Sequence, residues 1–355
     1  MIISFTYSFL FIFGWLCHAE GLSISTKGRK LFHPSTWNKV VKSAPQCGRA
    51  FIARESRNEA ASERAARIVG GFKVESPIPW QVSVQEEITR GTGIYSHVCG
   101  GVLISEHHLL TAAHCIRTNS KYRVVLGKHK LGSTSSHEQT FDIRQSDIVA
   151  HRRFGEIAEY ANDIAILKIE RANGEGARLN DAVHPICLPE SPDWETMLRA
   201  APFSECIVSG FGSINGSDLN TLSNSLRAAA VPIHNQNTCD KLYNHDYFDS
   251  KGDYGFFESN RLRSIKFAKN SRRSFGGGVK FVDDMLCAGP LSGSKDHCFG
   301  DSGGPLACKH EDRYYLLGIV SWGINCGEPK MPGLYTRVSH YLRWISNEKL
   351  LLGPI

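Results

Sequence analysis

The chain has 355 residues, 41% of them hydrophobic and 21% charged, with a formal net charge of +6 at pH 7. This is a globular composition without a long low-complexity tract or an internal repeat, which excludes a repeat architecture. The length allows one large domain or two modest ones.

The N-terminal stretch MIISFTYSFLFIFGWLCHAEG is an uncharged apolar run followed by small residues. It predicts a secretory signal peptide over residues 1–19, cleaved after Ala19. The alternative is an uncleaved membrane anchor, but the run ends by His18 and is short for a bilayer span, which needs about 20 apolar residues. Because no later segment is long and apolar enough to span a membrane, we expect a secreted, extracellular protein.

Residues 20–67 are polar and basic, with ten Lys or Arg against four Glu, a net charge of +6. They contain one cysteine, Cys47, and few apolar residues, so they cannot form a disulfide-stapled module. We interpret them as an extended, weakly folded pro-segment. The pro-segment ends where SERAAR meets IVGGFKV and a packed domain begins.

From residue 68 to residue 355 the charges balance, with 31 basic and 31 acidic residues. Short β-type runs such as WQVSV, GGVLI, YRVVLG, AILKI, ECIVSGFG and YYLLGIVSWG alternate with Gly, Asn and Ser clusters, which predicts an all-β sandwich or barrel. One helix is predicted around SHYLRWISNEKLL, with Leu342, Ile345 and Leu350 on its apolar face. Residues 251–280 carry eight basic and two acidic residues and form a basic insertion.

The chain contains 11 cysteines, and Cys17 would leave with the signal peptide. The ten that remain are an even number, as expected of an oxidised extracellular protein. They do not form CxxC pairs, so a zinc site is a poor alternative. The cysteines therefore support secretion.

Three motifs carry residues suited to nucleophilic catalysis, which needs a nucleophile, a base and a carboxylate that orients the base. LLTAAHC contains His114 at the end of an apolar strand, NDIAILKI contains Asp163 at the start of another, and CFGDSGGPLAC contains Ser302. Each motif alone has a plain structural explanation: a packed histidine, a turn before a strand, a flexible loop. Their occurrence together and in this order favours catalysis.

With these motifs, residues 67–349 resemble the trypsin/chymotrypsin family of serine peptidases. The resemblance implies two antiparallel six-stranded β-barrels with a C-terminal helix, and the catalytic residues in the cleft between them. It implies that Ser302 attacks the scissile carbonyl, that His114 transfers the proton, and that Asp163 orients the imidazole. An inert homologue is the alternative.

The resemblance also assigns supporting groups around the nucleophile. Backbone N–H groups of Gly300 and Ser302 are expected to form the oxyanion hole, where a side chain on Gly300 would obstruct the approach. Ser321, in VSWG, matches the serine that supports the buried aspartate Asp163.

Activation is implied by the RIVGG sequence. In the family, cleavage before IVGG frees an α-amino group that pairs with the aspartate preceding the nucleophile. Here the cut bond is Arg67–Ile68, and Ile68 would pair with Asp301. The plain alternative is an ordinary strand start at this position. Because Arg67 fits the specificity expected below, autoactivation is an option.

Five disulfides follow from the resemblance, and one of them would tether the pro-segment after activation. Spacing alone does not decide the pairing. The implied pairs are Cys47–Cys187, Cys99–Cys115, Cys206–Cys308, Cys239–Cys287 and Cys298–Cys326.

The expected specificity is for Arg or Lys, because Asp296 stands six residues before Ser302, where trypsin-like members bind the substrate cation. Gly323 and Gly333 match the glycines of the pocket walls. His297 departs from the small residue that is usual there, and we expect it to narrow the pocket and, when protonated, to repel a cationic substrate.

Two further departures concern the rim of the pocket. Asn325 replaces a common glycine beside it. Phe299 replaces a commonly polar residue and favours apolar groups after the scissile bond.

No cofactor is implied, and no metal is expected. In calcium-binding members of the family a loop after LG begins and ends with Glu; here Glu138 fits the second position but Lys128 occupies the first. We expect the ammonium of Lys128 to take the place of the cation.

The basic insertion borders the substrate cleft in the family and has two explanations: recruitment of acidic proteins or polyanionic glycans, or a solvated loop prone to nicking. Nucleic acid is a poor candidate for an extracellular loop. NGS makes Asn215 a candidate glycosylation site. Other expected partners are protein substrates and macromolecular protease inhibitors.

Taken together, the residues and the resemblance predict a secreted zymogen of a trypsin-like serine endopeptidase. The rival hypothesis is a catalytically weak protease-fold binding protein that engages a partner through its basic insertion and pro-segment. In that case His297 or Asn325 would impair turnover. The complete set of catalytic residues, with Asp296, argues against the rival.

Overall fold

The computed structural model describes residues 46–50, 52, 71–190, 205–213, 221–246, 280–323 and 326–353. Within these residues the strands form two antiparallel sheets of seven strands each. The all-β architecture is therefore confirmed. The count per sheet exceeds the expected six because short strands, β1 (Phe72–Lys73) and β7 (Ile148–Ala150), each extend one edge.

The first sheet follows the order β6-β5-β2-β3-β4-β8-β7. Its inward side chains, among them Val82, Leu110 and Ile166, are fully buried, as expected when apolar residues alternate along strands that close around a core. Besides β7, its strands are β2 (Gln81–Glu87), β3 (Tyr95–Ser105), β4 (His108–Thr111), β5 (Tyr122–Leu126), β6 (Gln139–Ile143) and β8 (Ala165–Lys168).

The second sheet follows the order β1-β10-β9-β12-β13-β14-β11. It buries Val208, Leu306 and Tyr335 in a core of its own. Besides β1, its strands are β9 (Glu205–Gly210), β10 (Arg227–Ala230), β11 (Met285–Ala288), β12 (Pro305–His310), β13 (Arg313–Trp322) and β14 (Gly333–Arg337).

Helical segments are few in the part of the chain that the structure describes. Helix α1 (Gln236–Asp240) is capped by Asn235, whose side chain accepts a hydrogen bond from the backbone N–H of Thr238, and it continues into a π-helical turn. Helix α2 closes the described chain. The segments are α1, the π-helical turn (Lys241–Asp246), 3₁₀ turns (Ala113–Cys115, Gln145–Asp147, Val338–Tyr341) and α2 (Leu342–Leu351).

The predicted C-terminal helix is present, but its buried face differs in one position. Leu342 and Ile345 are buried as expected, whereas Leu350 is 37% exposed. The stem of Lys349 is buried instead, at the i+7 position from Leu342. A residue at i+8 lies at the edge of a helix face. Lys349 is only 5% exposed, and burial lowers the pKa of its ammonium. Within the described residues, no helix has the length and apolarity required to cross a membrane.

Five disulfides join the same cysteines that the resemblance implies: Cys47–Cys187, Cys99–Cys115, Cys206–Cys308, Cys239–Cys287 and Cys298–Cys326. Cys47–Cys187 links the short N-terminal segment 46–50 to the domain. Beside it, Gly48 donates to Pro185 O and accepts from Tyr314 N, both at 2.8 Å. The segment is thus attached by covalent and backbone contacts together.

Candidate active site

Strand pairing brings His114 and Asp163 together. His114 lies in the 3₁₀ turn that follows β4, and Asp163 lies just before β8. These strands are antiparallel neighbours with Thr111 opposite Ala165, so the end of one meets the start of the other. Residues 49 positions apart in sequence therefore form a hydrogen-bonded pair.

The carboxylate of Asp163 is fully buried and held from several sides. It accepts from the backbone N–H of His114 at 2.9 Å and from His114 Nδ1 at 2.7 Å. Ser321 Oγ donates to the same carboxylate at 2.5 Å, and Thr336 Oγ1 donates to the backbone carbonyl of Asp163 at 2.6 Å. The imidazole is consequently fixed with Nδ1–H toward Asp163 and Nε2 free to accept a proton.

Two opposing effects set the pKa of His114. Burial of the imidazole lowers the pKa because a charged ring is poorly solvated, while the charge of Asp163 and its hydrogen bond raise it. The contribution of Asp163 prevails, and the pKa of His114 lies above its ordinary value. The site thus favours the imidazolium that forms when His114 takes a proton.

Ser302 is half-buried on the loop before β12, in the second sheet. Its carbonyl accepts from Gly100 N at 2.7 Å, which fastens the loop to β3 of the first sheet. The Cys115 sulfur lies 3.9 Å from His114 Nε2 and 3.7 Å from Ser302 O. The Nε2 edge of the imidazole therefore lies beside the loop that carries the serine.

Gly300 adopts a conformation that favours glycine. Its φ is +94°, and a Cβ there would lie 2.6 Å from Leu222 Cδ2. The N–H groups of Asp301 and Gly303 donate to Cys298 O and Val320 O. Those of Gly300 and Ser302, by contrast, have no backbone acceptor among the described residues. No backbone carbonyl of the described residues therefore competes for these two N–H groups.

Asp301 is fully buried, and burial raises its pKa to about 6. Its carboxylate accepts from Gly212 N at 2.7 Å and from Cys298 N at 2.9 Å. A Cβ on Gly210 would lie 2.1 Å from Asp301 Oδ1. The lack of a side chain at this glycine of the GFG sequence therefore lets the backbone approach the Asp301 carboxylate closely. A buried carboxylate of this kind gains stability from an added cation.

Asp296 and His297 lie together beside Gly323, which follows β13, and Gly333, which begins β14. Asp296 is 3% exposed and accepts from His297 N at 2.9 Å and from Gly327 N at 2.8 Å. Burial raises the pKa of Asp296. The His297 imidazole is also buried, with Nε2 at 4.0 Å from Asp296 Oδ1. At the rim, Phe299 is exposed.

Two features bear on metal binding. In the described part of the chain, the cluster of metal-type ligands is Cys99, His114 and Cys115, but the two sulfurs form a disulfide and cannot act as thiolates. Lys128 Nζ donates to Glu138 at 2.9 Å and to Ser133 O at 2.7 Å. Lys128 and Glu138 are thus paired directly with each other as an ammonium and a carboxylate.

Sequence reasoning missed two contributors. One is Thr336, which holds the backbone of Asp163 and has no motif of its own. The other is His97, which donates from Nε2 to Gly300 O at 2.9 Å and accepts from Ser83 Oγ at Nδ1, also at 2.9 Å. Burial lowers the pKa of His97 to about 4, so the ring is neutral. The only sequence signal for His97 is its place two residues before Cys99.

Some expectations fall outside the described residues: the cleavage site at Arg67 and Ile68, the glycosylation candidate Asn215, and Asn325. The signal peptide, nearly all of the pro-segment and residues 251–279 of the basic insertion also lie outside them.

Comparison with known proteins gives two findings. The family model described as Trypsin matches residues 68–345. Among curated relatives, urokinase-type plasminogen activator from Gallus gallus is 33% identical over 331 residues, which cover 91% of this chain. The match covers 64% of that relative, so the chain spans less than two thirds of its length.

Proposed function

Because the chain belongs to the trypsin/chymotrypsin family of serine peptidases, we propose that it is a secreted zymogen of a serine endopeptidase that cleaves proteins after Arg or Lys. The observation that carries this proposal is the hydrogen bond between His114 and the fully buried Asp163, beside the Ser302 loop. The relative from Gallus gallus is named for activating plasminogen. From that name we take only one inference for this chain, that its substrate is a protein.

In the proposed reaction, Ser302 Oγ attacks the scissile carbonyl carbon while its proton moves to His114 Nε2. The negative charge on the carbonyl oxygen is stabilised by the N–H groups of Gly300 and Ser302. His114 then gives the proton to the leaving amine, and the C–N bond breaks. Water hydrolyses the acyl-enzyme by the same proton transfers in reverse order. Asp163 stabilises the imidazolium through its hydrogen bond to Nδ1.

His97 and Thr336 are proposed to position these groups. The hydrogen bond from His97 to Gly300 O orients the peptide unit between Gly300 and Asp301. That unit lies between the N–H groups of Gly300 and Ser302, which would face the oxyanion. Thr336 fixes the backbone of Asp163. A misplacement of about 1 Å in such groups costs roughly 10²-fold in rate, so their rigidity contributes to catalysis.

Specificity is assigned to Asp296, whose buried carboxylate would pair with the cation of Arg or Lys. Its hydrogen bonds from His297 N and Gly327 N hold it in place and leave a negative charge for the substrate to neutralise. Gly323 and Gly333 supply the walls.

Activation is proposed to follow cleavage at Arg67–Ile68. The new ammonium of Ile68 would enter beside Asp301, whose pKa is raised to about 6 by burial. Pairing with an ammonium favours the ionised carboxylate and holds the Gly300–Ser302 loop in its active arrangement. Cys47–Cys187 would keep the pro-segment attached.

A second candidate function is a binding protein with little turnover, favoured by one observation: the His297 ring lies in the pocket that a substrate would enter. The basic insertion would then engage acidic proteins or sulfated glycans. Macromolecular inhibitors are proposed as partners of the enzyme itself.

The test uses the purified full-length zymogen before and after cleavage at Arg67–Ile68, with Ile68 verified as the new N-terminus. Hydrolysis is followed on matched peptides with Arg, Lys or Phe before the reporter. We expect turnover of Arg and Lys peptides only after the cut, and a loss of about 10⁴-fold or more in Ser302→Ala.

Ser146→Ala, an exposed serine in the turn before β7, is the matched control and should keep full activity. Turnover of the Phe peptide alone would contradict the role of Asp296. A correctly cut protein without any turnover would favour the binding protein.

A further inference from the structure

The imidazole of His297 occupies space that the pocket glycines leave open. A Cβ on Gly333 would lie 2.3 Å from His297 Nε2, and a Cβ on Gly323 would lie 3.3 Å from Cε1. The ring therefore sits between the two walls, and it is only 5% exposed. The space that would admit a long substrate side chain is taken by a side chain of the protein itself.

The polar atoms around this ring are incompletely paired. Within the described residues, His297 Nε2 and the Tyr335 hydroxyl are buried without a hydrogen-bond partner. The two rings meet edge to face, with centroids 5.0 Å apart. His297 Nε2 lies 4.0 Å from Asp296 Oδ1, too far for a hydrogen bond. Unpaired buried polar groups are costly, so this packing can be displaced by a guest that satisfies them better.

We propose that His297 is the specificity-determining residue of the pocket, an internal occupant that a substrate's basic side chain must displace before it reaches Asp296. This inference rests on the proposed function only in taking Asp296 as the site that binds the substrate cation. The ring and a guanidinium cannot share the space between Gly323 and Gly333. Each productive binding event therefore includes rotation of His297 out of its packed position.

The consequence falls on binding rather than on the chemical step. The free energy needed to displace the ring weakens binding of the substrate and of the transition state equally. The reason is that His114 and Ser302 are unaffected once the substrate side chain lies in the pocket. Such uniform loss raises KM and leaves kcat unchanged. A pocket of this kind selects substrates whose remaining contacts offset the displacement, and it disfavours short peptides.

The charge of the ring adds a dependence on pH. Among the described residues, the titratable groups that face His297 are Asp296 on its own loop and Tyr335 on β14. The other wall is the uncharged Gly323, which directly follows β13. Burial lowers the pKa of His297, with Asp296 opposing, so the ring is neutral at neutral pH. On acidification it becomes a cation beside Asp296 and competes directly with a cationic guest. Because the carboxyl of Asp296 also titrates, a variant that keeps Asp296 is needed to separate the effect of protonating His297 from the effect of protonating Asp296.

The test measures binding apart from catalysis, with benzamidine as the probe because it is a small planar cation. Its Kd is measured by calorimetry on the cut protein as wild type, His297→Ser and His297→Ala. KM and kcat are measured on an Arg peptide, and labelling of Ser302 by diisopropyl fluorophosphate reports the catalytic residues without using the pocket.

We expect His297→Ser and His297→Ala to lower both Kd and KM by about tenfold, which corresponds to about 1.4 kcal/mol, with kcat within about twofold. The advantage of His297→Ser over wild type should grow as the pH falls. His108→Ser is the matched control, because His108 is also buried with an unpaired Nε2 but lies on β4 of the first sheet. It should leave Kd and KM unchanged.

Asp296→Asn separates the two proposals. If this variant loses benzamidine while both His297 variants bind it as wild type does, the pocket assignment stands and the displacement of His297 is wrong. If Ser302 is not labelled but His297→Ser still tightens benzamidine, catalysis fails and the displacement stands. If Asp296→Asn leaves the Kd of benzamidine unchanged, the cation site is elsewhere and both the specificity and the role of His297 are overturned.

Discussion

Besides the Asp163–His114 pair, two further buried carboxylates have a basic side chain beside them, and these two pairs differ in their hydrogen bonding. Glu138 is bonded to Lys128 at 2.9 Å, and the same ammonium donates to Ser133 O. Asp296 lies 4.0 Å from His297 Nε2, and that nitrogen has no hydrogen-bond partner among the described residues. We call Lys128–Glu138 the closed pair, because its side chains are hydrogen-bonded to each other and its role is structural. We call His297–Asp296 the open pair, because its side chains are not hydrogen-bonded and a substrate cation can replace the imidazole.

Burial of a charge does not by itself identify a binding site. Both carboxylates are nearly inaccessible, but Glu138 is bonded directly to its ammonium, whereas Asp296 faces an imidazole nitrogen that lies beyond hydrogen-bond distance. A closed pair resists change because removal of one partner leaves an uncompensated charge. An open pair tolerates replacement of its occupant.

The largest effect is expected from breaking the closed pair. Lys128→Met leaves Glu138 buried without a cation and should lower the free energy of unfolding by about 3–5 kcal/mol, measured by urea denaturation. The double variant Lys128→Met with Glu138→Leu should recover most of that loss, because both charges are then absent. An unchanged stability in Lys128→Met would mean that the pair is solvated and not structural.

A smaller effect is expected from crowding the open pair. In Gly333→Ala the new Cβ meets His297 Nε2 at 2.3 Å, so the ring must shift, at a cost of about 1–3 kcal/mol in stability. Adding His297→Ala should remove most of this cost, and thermal unfolding of the two single variants and the double variant gives the coupling. Additive effects would contradict contact between the two residues.

The smallest effect concerns the pH dependence of stability. A histidine whose pKa is lowered in the folded state contributes stability that is present above its unfolded pKa and lost as the pH falls. Burial lowers the pKa of His297. Wild type should therefore lose more stability than His297→Ser between neutral and acid pH, measured by urea denaturation across that range. Parallel curves for the two proteins would show that His297 does not titrate in this window.

The strands were predictable because runs such as YRVVLG and AILKI alternate with turn residues, and both form strands where expected. The carboxylate–imidazole pair was predictable from its motifs, since their order along the chain is itself specific. Leu350 was misplaced because periodicity does not define the edge of a helix face. Thr336 and His97 were missed because their roles depend on strands from distant parts of the chain meeting at Asp163 and Gly300.

The place of the His297 ring was predictable only in outline. The sequence indicates that a large residue stands beside Asp296, which implies a narrower pocket. It does not indicate that the ring packs against Tyr335 and leaves Nε2 unpaired, because that depends on side-chain rotation in three dimensions.

The disulfide between Cys47 and Cys187 has a consequence for how activation could be observed. A cut at Arg67–Ile68 would turn one polypeptide into two without separating them, so the molecule would keep its mass until a reductant is added. Size measurements under oxidising conditions would then miss the event. Only a free amino group at Ile68, or the appearance of a second band after reduction, would distinguish the cleaved molecule from its precursor.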